Sequence, residues 1–411
     1  MKVLAVTFFH VPWVSGDQTG IGRRFSVFLR ALQQVSDDIT LLHLVPPKMI
    51  AAAGPIDILS ASQSAFWGVK LRIALAPRRA RMQTAWNHYG AGIFDVSRQP
   101  RWFPYAGADL AAAVGGHLDA RPDLVFAFGL HAMLPILRSG RKPARLIYDN
   151  IDIEHRVLIR DVFSAPFMPG KPVQLLQAPA LIRLERRALA ASRVAFVCSE
   201  VDRAYLRRLR SGGAVHVVPN ALAVPADPPG VVAMPTVLFL GDMQNLPNRR
   251  AAERMVERIW PLVLQRSPAA RLLVAGRGSD RLRCADGRLA SVDFLGFVDD
   301  LDALYARSRL VCCPIMTGGG TRLKLVEAAS YARPMVSTRM GMEGLDFADG
   351  DAALIRDDDA GFAAACSSLL EDDALCARLG GAARRRMQAQ YDARRIEDDV
   401  AEMLRSLDKA G

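Results

Sequence analysis

Short apolar runs recur along this chain at intervals that one class of fold accommodates. Lys2 to Phe8 reads KVLAVTF, followed by a glycine-containing loop and by IGRRFSVFLRALQQV, which has helical periodicity. ITLLHLV, DLVFAFG, RLIYDN and VAFVCS repeat the run, with helical stretches or loops between them. Such runs are strands buried on both faces, and the intervening helices supply the cover, giving a βαβ series and a parallel sheet. Pro219 to Pro235, PNALAVPADPPGVVAMP, is too proline-rich for a helix or a central strand. Beyond it the series resumes with TVLFLG, a helix around 248–265, RLLVAG, VDFLG, a helix from about 299, RLVCCPI, another helix and PMVST. The expected class is α/β, with two doubly wound parallel-sheet domains facing each other across a cleft. The boundaries are 1–220 for the first domain, 221–235 for the linker, 236–390 for the second domain, and 391–411 for a C-terminal helix packing back toward the first. A length of 411 residues agrees, because single cores stop growing near ~250 to 300 residues.

The second series contains GGGTRLKLVEAASYARPMVSTRMGMEGL, residues 318 to 345. RLVCCPI delivers the chain to the glycines and a helix begins near Thr321, so the run lies at the carboxyl edge of a parallel sheet, where ligands of such folds bind. Gly318, Gly319 and Gly320 allow positive φ and close approach of a ligand to the backbone. Loop amides and the helix N-terminus attract anions, phosphate first among them. Arg322 and Lys324 fall in the first helical turn, where positive charge opposes the helix dipole unless an anion is bound, and that local conflict marks a site. Lys324 and Glu327 share one face; the first reaches phosphate oxygens and the second accepts bonds from a sugar's hydroxyl pair. A nucleotide presents both groups. The other reading is a glycine-rich turn followed by a surface Lys/Glu pair.

Charge and composition narrow the partners. The net charge of +11 favours phosphorylated ligands, anionic membranes or nucleic acid, although the basic residues are scattered. No apolar run approaches the ~18 residues that span a bilayer, and MKVLAVTFFHVPWV lacks a signal peptide's apolar core and cleavage site, so a cytoplasmic location is expected. The six cysteines form no CxxC pair, which disfavours a disulfide framework or a zinc site. Residues 46–105 break the alternation. Their FWGVKLRIALAPRRARMQTAW (residues 66–86) interleaves apolar residues with Lys70, Arg72, Arg78, Arg79 and Arg81, as in helices lying on anionic lipid at the inner face of a membrane. An ordinary amphipathic helix pair covering the first sheet, interrupted at Pro77, is the alternative.

The glycine run, together with VPWVSGDQTGIGRRF, ASRVAFVCSEVDRAYL, VVPNAL, VLFLGDMQNLPNRRAAERMV, LLVAGRG, FLGFVDDLDALYARSRL and YDARRIEDDV in that order, resembles the retaining family 4 glycosyltransferases of the GT-B fold over nearly the whole chain. The resemblance implies two Rossmann-like domains and a transfer of sugar from a nucleotide-diphosphate donor to a glycan or lipid-linked acceptor. It also implies retention, no active-site metal, and no cofactor beyond the nucleotide sugar as substrate. Glu327 would hold the ribose hydroxyls, as the second glutamate of the family's E-x7-E pair. The first position is Gly319 here, so hydroxyls of the transferred sugar would meet the amides of Gly319 and Gly320. Arg322 and Lys324 would bind the diphosphate, with Asn248 and Arg249 as weak substitutes for an Arg and a Lys that many members carry. The backbone around Gly296, Phe297 and Val298 would contact the base, and Gly276 to Gly278 would line the nucleotide pocket; as structure alone, these are strand ends with turns.

Gly20 and Gly22, in TGIGRRF at the end of the first strand, would face the donor phosphates, with Arg23 or Arg24 contacting phosphate or acceptor. As a dinucleotide fingerprint the stretch is incomplete, lacking the third glycine. His131 follows DLVFAFG, where the family often carries a histidine beside the reacting sugar; a histidine capping a helix start is the other reading. YDNIDIEH offers Asp149, Asp152, Glu154 and His155 for acceptor recognition. The runs DGD (349–351) and RDDDAGF (356–362) suggest a metal site at first sight, but Asp359 reads better as a helix N-cap among solvated carboxylates. The functional expectation is a hexosyl or related transferase in surface polysaccharide or glycoconjugate assembly. Its rivals are a nucleotide-sugar epimerase or hydrolase of the same architecture, and a polyanion-binding protein, for which no nucleic-acid motif is present.

Overall fold

The computed structural model describes residues 1–8, 20–45, 68–75, 92–96, 103–164, 171–209, 214–228, 230–282, 284 and 290–409. The chain divides into two compact units, one of Met1–Asn220 with Arg394–Gly411 and the other of Ala221–Ala393. In the first unit the strands are β1 (Lys2–Thr7), β2 (Asp38–Val45), β3 (Lys70–Leu75), β4 (Leu124–Phe128), β5 (Leu146–Asp149), β6 (Val194–Val197) and β7 (Ala214–Val217). They form one sheet in the order β3-β2-β1-β4-β5-β6-β7, parallel throughout. The second unit holds β8 (Thr236–Leu240), β9 (Arg271–Ala275), β10 (Val292–Gly296), β11 (Leu310–Cys313), β12 (Met335–Ser337) and β13 (Leu354–Ile355). Their order is β10-β9-β8-β11-β12-β13, again parallel.

Central strands such as β4 and β11 are buried at every residue, as two-sided helical cover requires. Trp260, Tyr305, Phe239 and Phe362 fill the second core, and Trp260 donates from Nε1 to Ser291 Oγ at 3.0 Å. Cys312, Cys313 and Cys366 belong to that core, and burial pushes the thiols of Cys312 and Cys366 up, which suits small apolar residues. The helical stretch after β8 runs as Leu246–Arg254, a π turn at Met255–Ile259, then Trp260–Arg266. Pro261 lacks the N–H that an α-helical ladder needs there, and the wider turn accommodates the missing donor.

The last helix, Ala393–Lys409, lies against the first unit's helix Gly20–Gln33. Arg30 pairs with Glu397 at 3.3 Å, Gln34 donates to Asp398 at 2.9 Å, and Arg405 donates to the Gln34 carbonyl at 3.1 Å. Among the described residues no helix is long and apolar enough to cross a membrane.

The helical readings of the basic segment are corrected over Lys70–Leu75. This stretch is the edge strand β3, in register with β2 from Thr40↔Lys70 to Val45↔Leu75. Lys70 and Arg72 are exposed while Leu71 and Ala74 are buried, a near-alternation that suits a strand rather than a helix. Arg78, Arg79 and Arg81 lie outside the described residues. Gly20 and Gly22 are also relocated: β1 ends at Thr7, and both glycines stand in the first turn of the following helix.

Candidate active site

In each sheet the strand order reverses once, between β1 and β4 in the first unit and between β8 and β11 in the second. Loops leaving the carboxyl ends of strands diverge at such a point and open a crevice. In the second unit the loops after β8, β9 and β10, on one side of this point, are laced together. Gly241 N donates to Ala275 O at 3.0 Å, Met243 N to Arg277 O at 2.9 Å, Gly276 N to Gly296 O at 2.7 Å, and Ser279 Oγ receives Gly296 N at 2.9 Å. Gly276 has φ +117°, and a Cβ there would lie 2.0 Å from the Gly241 carbonyl oxygen, so only glycine lets the β8 and β9 loops cross. Gly278 caps the short 3-10 turn Ser279–Arg281 in the left-handed region. Beyond β10, Phe297 is 52% exposed, a large apolar side chain left uncovered at the same edge, and Val298 beside it is half-buried.

After β11 the chain runs through Met316 and Thr317 into the glycine run. Gly318 at φ +115° and Gly320 at φ +66° reverse it twice before the helix Leu323–Ser330 begins. Arg322, just ahead of that helix, is buried and donates through one guanidinium nitrogen to the carbonyls of Gly319 and Gly320, the second at 2.6 Å. These bonds make the guanidinium hold the shape of its own loop. Thr321 is half-buried beside it.

Lys324 points elsewhere. Its Nζ donates to Asn248 Oδ1 at 2.8 Å and lies 5.0 Å from the centre of the Phe239 ring. Asn248 in turn donates from Nδ2 to the Asp242 carbonyl at 3.0 Å, which fixes its oxygen toward the lysine. The ammonium thus bridges the loops after β8 and β11, the two strands flanking the reversal. Burial pushes its pKa down, and neighbouring Arg322 adds to the effect. Among the described residues no carboxylate pairs with it. A desolvated cation facing a neutral amide gains most from an incoming anion.

One turn further, Glu327 is buried and accepts from the Tyr305 hydroxyl at 3.1 Å. The structure therefore gathers Gly276, Gly278, Phe297, Val298, Gly318, Gly319, Gly320, Thr321, Arg322, Lys324 and Glu327 on the loops and the helix Leu323–Ser330 that follow the strands of one sheet. Sequence reasoning missed Tyr305, and gave Asn248 only the part of a weak stand-in. The hydroxyl of Tyr305 on the buried side of the helix LDALYA, whose other polar side chain, Asp302, is exposed, was the available signal.

The first unit treats its candidates differently. Asp149, at the end of β5, is fully buried and receives both Nε and a terminal nitrogen of Arg24, at 2.8 and 2.5 Å. Arg24 also donates to Val218 O at 2.6 Å and Asn220 Oδ1 at 3.1 Å. Acceptor recognition by Asp149, and a ligand contact by Arg24, are corrected to a buried ion pair tying the first helix to the end of the sheet. His155 is likewise 1% exposed, bound through Nδ1 to Glu185 and through Nε2 to the Tyr205 hydroxyl at 2.6 Å. Glu185 accepts the Glu154 amide as well, so this cluster knits three helices and leaves His155 no face for an acceptor. Asp152 and Arg23 are half-buried. His131 does not cap its helix, whose N-cap position is Phe128; its ring stacks on Phe8 at 4.2 Å and meets Tyr105 edge-on at 4.9 Å.

The carboxylate runs are paired with arginines. Asp349 binds Arg356, Asp351 binds Arg386, and Asp359 binds Arg254 and Arg258. The N-cap is Asp358, whose side chain accepts from Gly361 N at 2.7 Å, not Asp359. The cap must sit three residues before the amide it receives, and that register selects the earlier aspartate.

Two doubly wound parallel-sheet units of this kind define the GT-B class of fold. Solved structures share it: a sucrose-phosphate synthase from Thermosynechococcus elongatus matches with a TM-score of 0.70 at 15% identity, covering 100% of both chains. HepE of Anabaena, solved in complex with UDP and glucose, matches with a TM-score of 0.64 at 15% identity, covering 99% of this chain and 100% of that one. Residues 234–372, within the second unit, match the family model described as glycosyl transferases group 1. A phosphatidyl-myo-inositol mannosyltransferase of Mycolicibacterium smegmatis is 33% identical over 206 residues, 47% of this chain and 52% of that protein. An uncharacterized 44.6 kDa protein in the cps region of Klebsiella pneumoniae is 27% identical over 135 residues, 31% of this chain and 35% of that protein. The match thus spans about half the length of the first curated relative and about a third of the second.

Proposed function

We propose that the chain is a glycosyltransferase that moves a sugar from a nucleotide-diphosphate donor to a glycan or lipid-linked acceptor, with retention and without a metal ion. The observation that carries this reading is the Lys324 ammonium, held by a neutral amide at 2.8 Å where the strand order reverses. The group 1 domain match and the UDP-bound relative of the same fold support a nucleotide donor. In the reaction the bond between the sugar's anomeric carbon and the β-phosphate oxygen breaks, leaving negative charge on the phosphate. Lys324 and the amides of the glycine loop stabilise that charge as it develops. The departing phosphate takes the acceptor hydroxyl's proton on the face it leaves, and the acceptor oxygen bonds the anomeric carbon there. No separate carboxylate base is then needed. The mannosyltransferase and cps-region relatives favour assembly of surface glycoconjugates as the setting.

A thermal-shift screen against nucleoside diphosphates and their sugars tests the reading, because a ligand that prefers the folded state raises its stability. One nucleotide family should raise Tm in the wild type and leave Lys324→Ala unmoved, with transfer lost and the unliganded Tm retained. Wild-type activity in that variant would overturn the assignment. Rapid isomerisation of donor incubated alone, or release of free sugar, would favour the epimerase or hydrolase instead.

A further inference from the structure

Two tyrosines tie the helix Leu301–Ala306 to the helix Leu323–Ser330 and its C-cap, and they do so in opposite senses. Tyr305, on the first helix, donates its hydroxyl to Glu327 on the second at 3.1 Å. Tyr331, the C-cap of the second, donates its hydroxyl to Asp302 on the first. Between these bonds the rings stack face to face, with centroids 4.3 Å apart and planes 9° from parallel. Tyr305 is fully buried, so its ring has one orientation available and its hydroxyl one direction.

Glu327 depends on such an anchor. It is 8% exposed, and a glutamate has three side-chain torsions through which its carboxylate can swing. The Tyr305 bond commits the Oε2 oxygen and so restricts how far the carboxylate can swing. A carboxylate held in one plane can accept from two adjacent hydroxyls of a ligand at once; one that rocks between orientations accepts from either weakly.

We infer that Tyr305 is the positioning residue that sets Glu327 for a vicinal diol, and so decides how strongly the site discriminates a ribonucleotide from its deoxy analogues. This rests on the reading of Glu327 as the group that receives the ribose hydroxyls. A site built to bond a hydroxyl rejects the analogue lacking it, because its own buried acceptor is then left unmatched. Tyr305→Phe keeps the ring and the stack and removes only the oxygen.

The experiment measures Kd by calorimetry for UDP, GDP and ADP, then for the 2′-deoxy and 3′-deoxy forms of whichever binds, with inorganic pyrophosphate as control. In the wild type, loss of a ribose hydroxyl should weaken binding about 10- to 100-fold, as for a hydrogen bond to a charged group. In Tyr305→Phe the ratio should fall to a few-fold, with pyrophosphate affinity unchanged. An unaltered ratio in that variant overturns the role of Tyr305 and leaves the donor reading standing. A wild type that binds ribo and deoxy forms equally overturns the placement of ribose on Glu327 itself. Should Tyr305→Phe fail to fold, Tyr331→Leu removes the stack from the other side: a reduced ratio supports the inference and an unchanged one overturns it.

Discussion

Replacing Asn248 by aspartate changes one NH2 group to oxygen and tests the electrostatics of the site directly. The Asn248 oxygen lies 2.8 Å from Lys324 Nζ. An anion bonded to the same ammonium sits at a similar distance on another side, which puts the new negative charge roughly 4 to 5 Å from it. At an effective dielectric of about 20, like charges at that separation repel by about 3 to 4 kcal/mol. Asn248→Asp should therefore weaken nucleoside-diphosphate binding about 100- to 1000-fold. Asn248→Ala, which only releases the lysine from its hold, should cost about tenfold. Titration calorimetry gives both affinities. Unliganded melting temperature separates the effect from the lost bond to the Asp242 carbonyl. Aspartate binding as tightly as alanine would mean that the anion does not sit at Lys324, and the electrostatic reasoning would fall.

Two further outcomes follow from buried charge. Burial holds the Lys324 ammonium below the ordinary lysine value. Its charge is lost as pH rises through that lowered value, so diphosphate affinity should fall with rising pH before the ordinary lysine range is reached, while Lys324→Arg should postpone the decline; coincident pH profiles for the two proteins would refute the assignment. In the first unit, Arg24→Met should cost about 3 to 5 kcal/mol in chemical denaturation by stranding buried Asp149, and adding Asp149→Leu should recover most of it; a double variant no better than the single would exclude charge burial as the cause.

The fold was largely legible because its central strands are apolar and buried on both faces. β3, β7 and β13 escaped for physical reasons. β3 and β7 alternate exposed with buried or half-buried residues at the sheet's edges, and β13 has two residues. The glycine run announced a ligand-binding edge through its backbone chemistry alone. What one sequence could not give was side-chain partnership across distance. Arg24 and Asp149 are 125 positions apart, His155 and Glu185 30 apart, and Tyr305 and Glu327 22 apart. Each of those polar residues looks available to a ligand until its partner is known. Arg322 illustrates the converse, since its partners are the carbonyls two and three positions before it, and a turn whose φ angles are unknown hides even so near a contact.

The first unit is built from both ends of the chain, with the second inserted between its parts. During synthesis the sheet from β1 to β7 leaves the ribosome well before the helix that completes it. At about 5 to 20 residues per second, that wait lasts roughly 10 to 35 s. Over this interval the face of Gly20–Gln33 that later receives Ala393–Lys409 stays uncovered, so a nascent chain stalled past Asn220 would expose a helix face that the finished protein conceals.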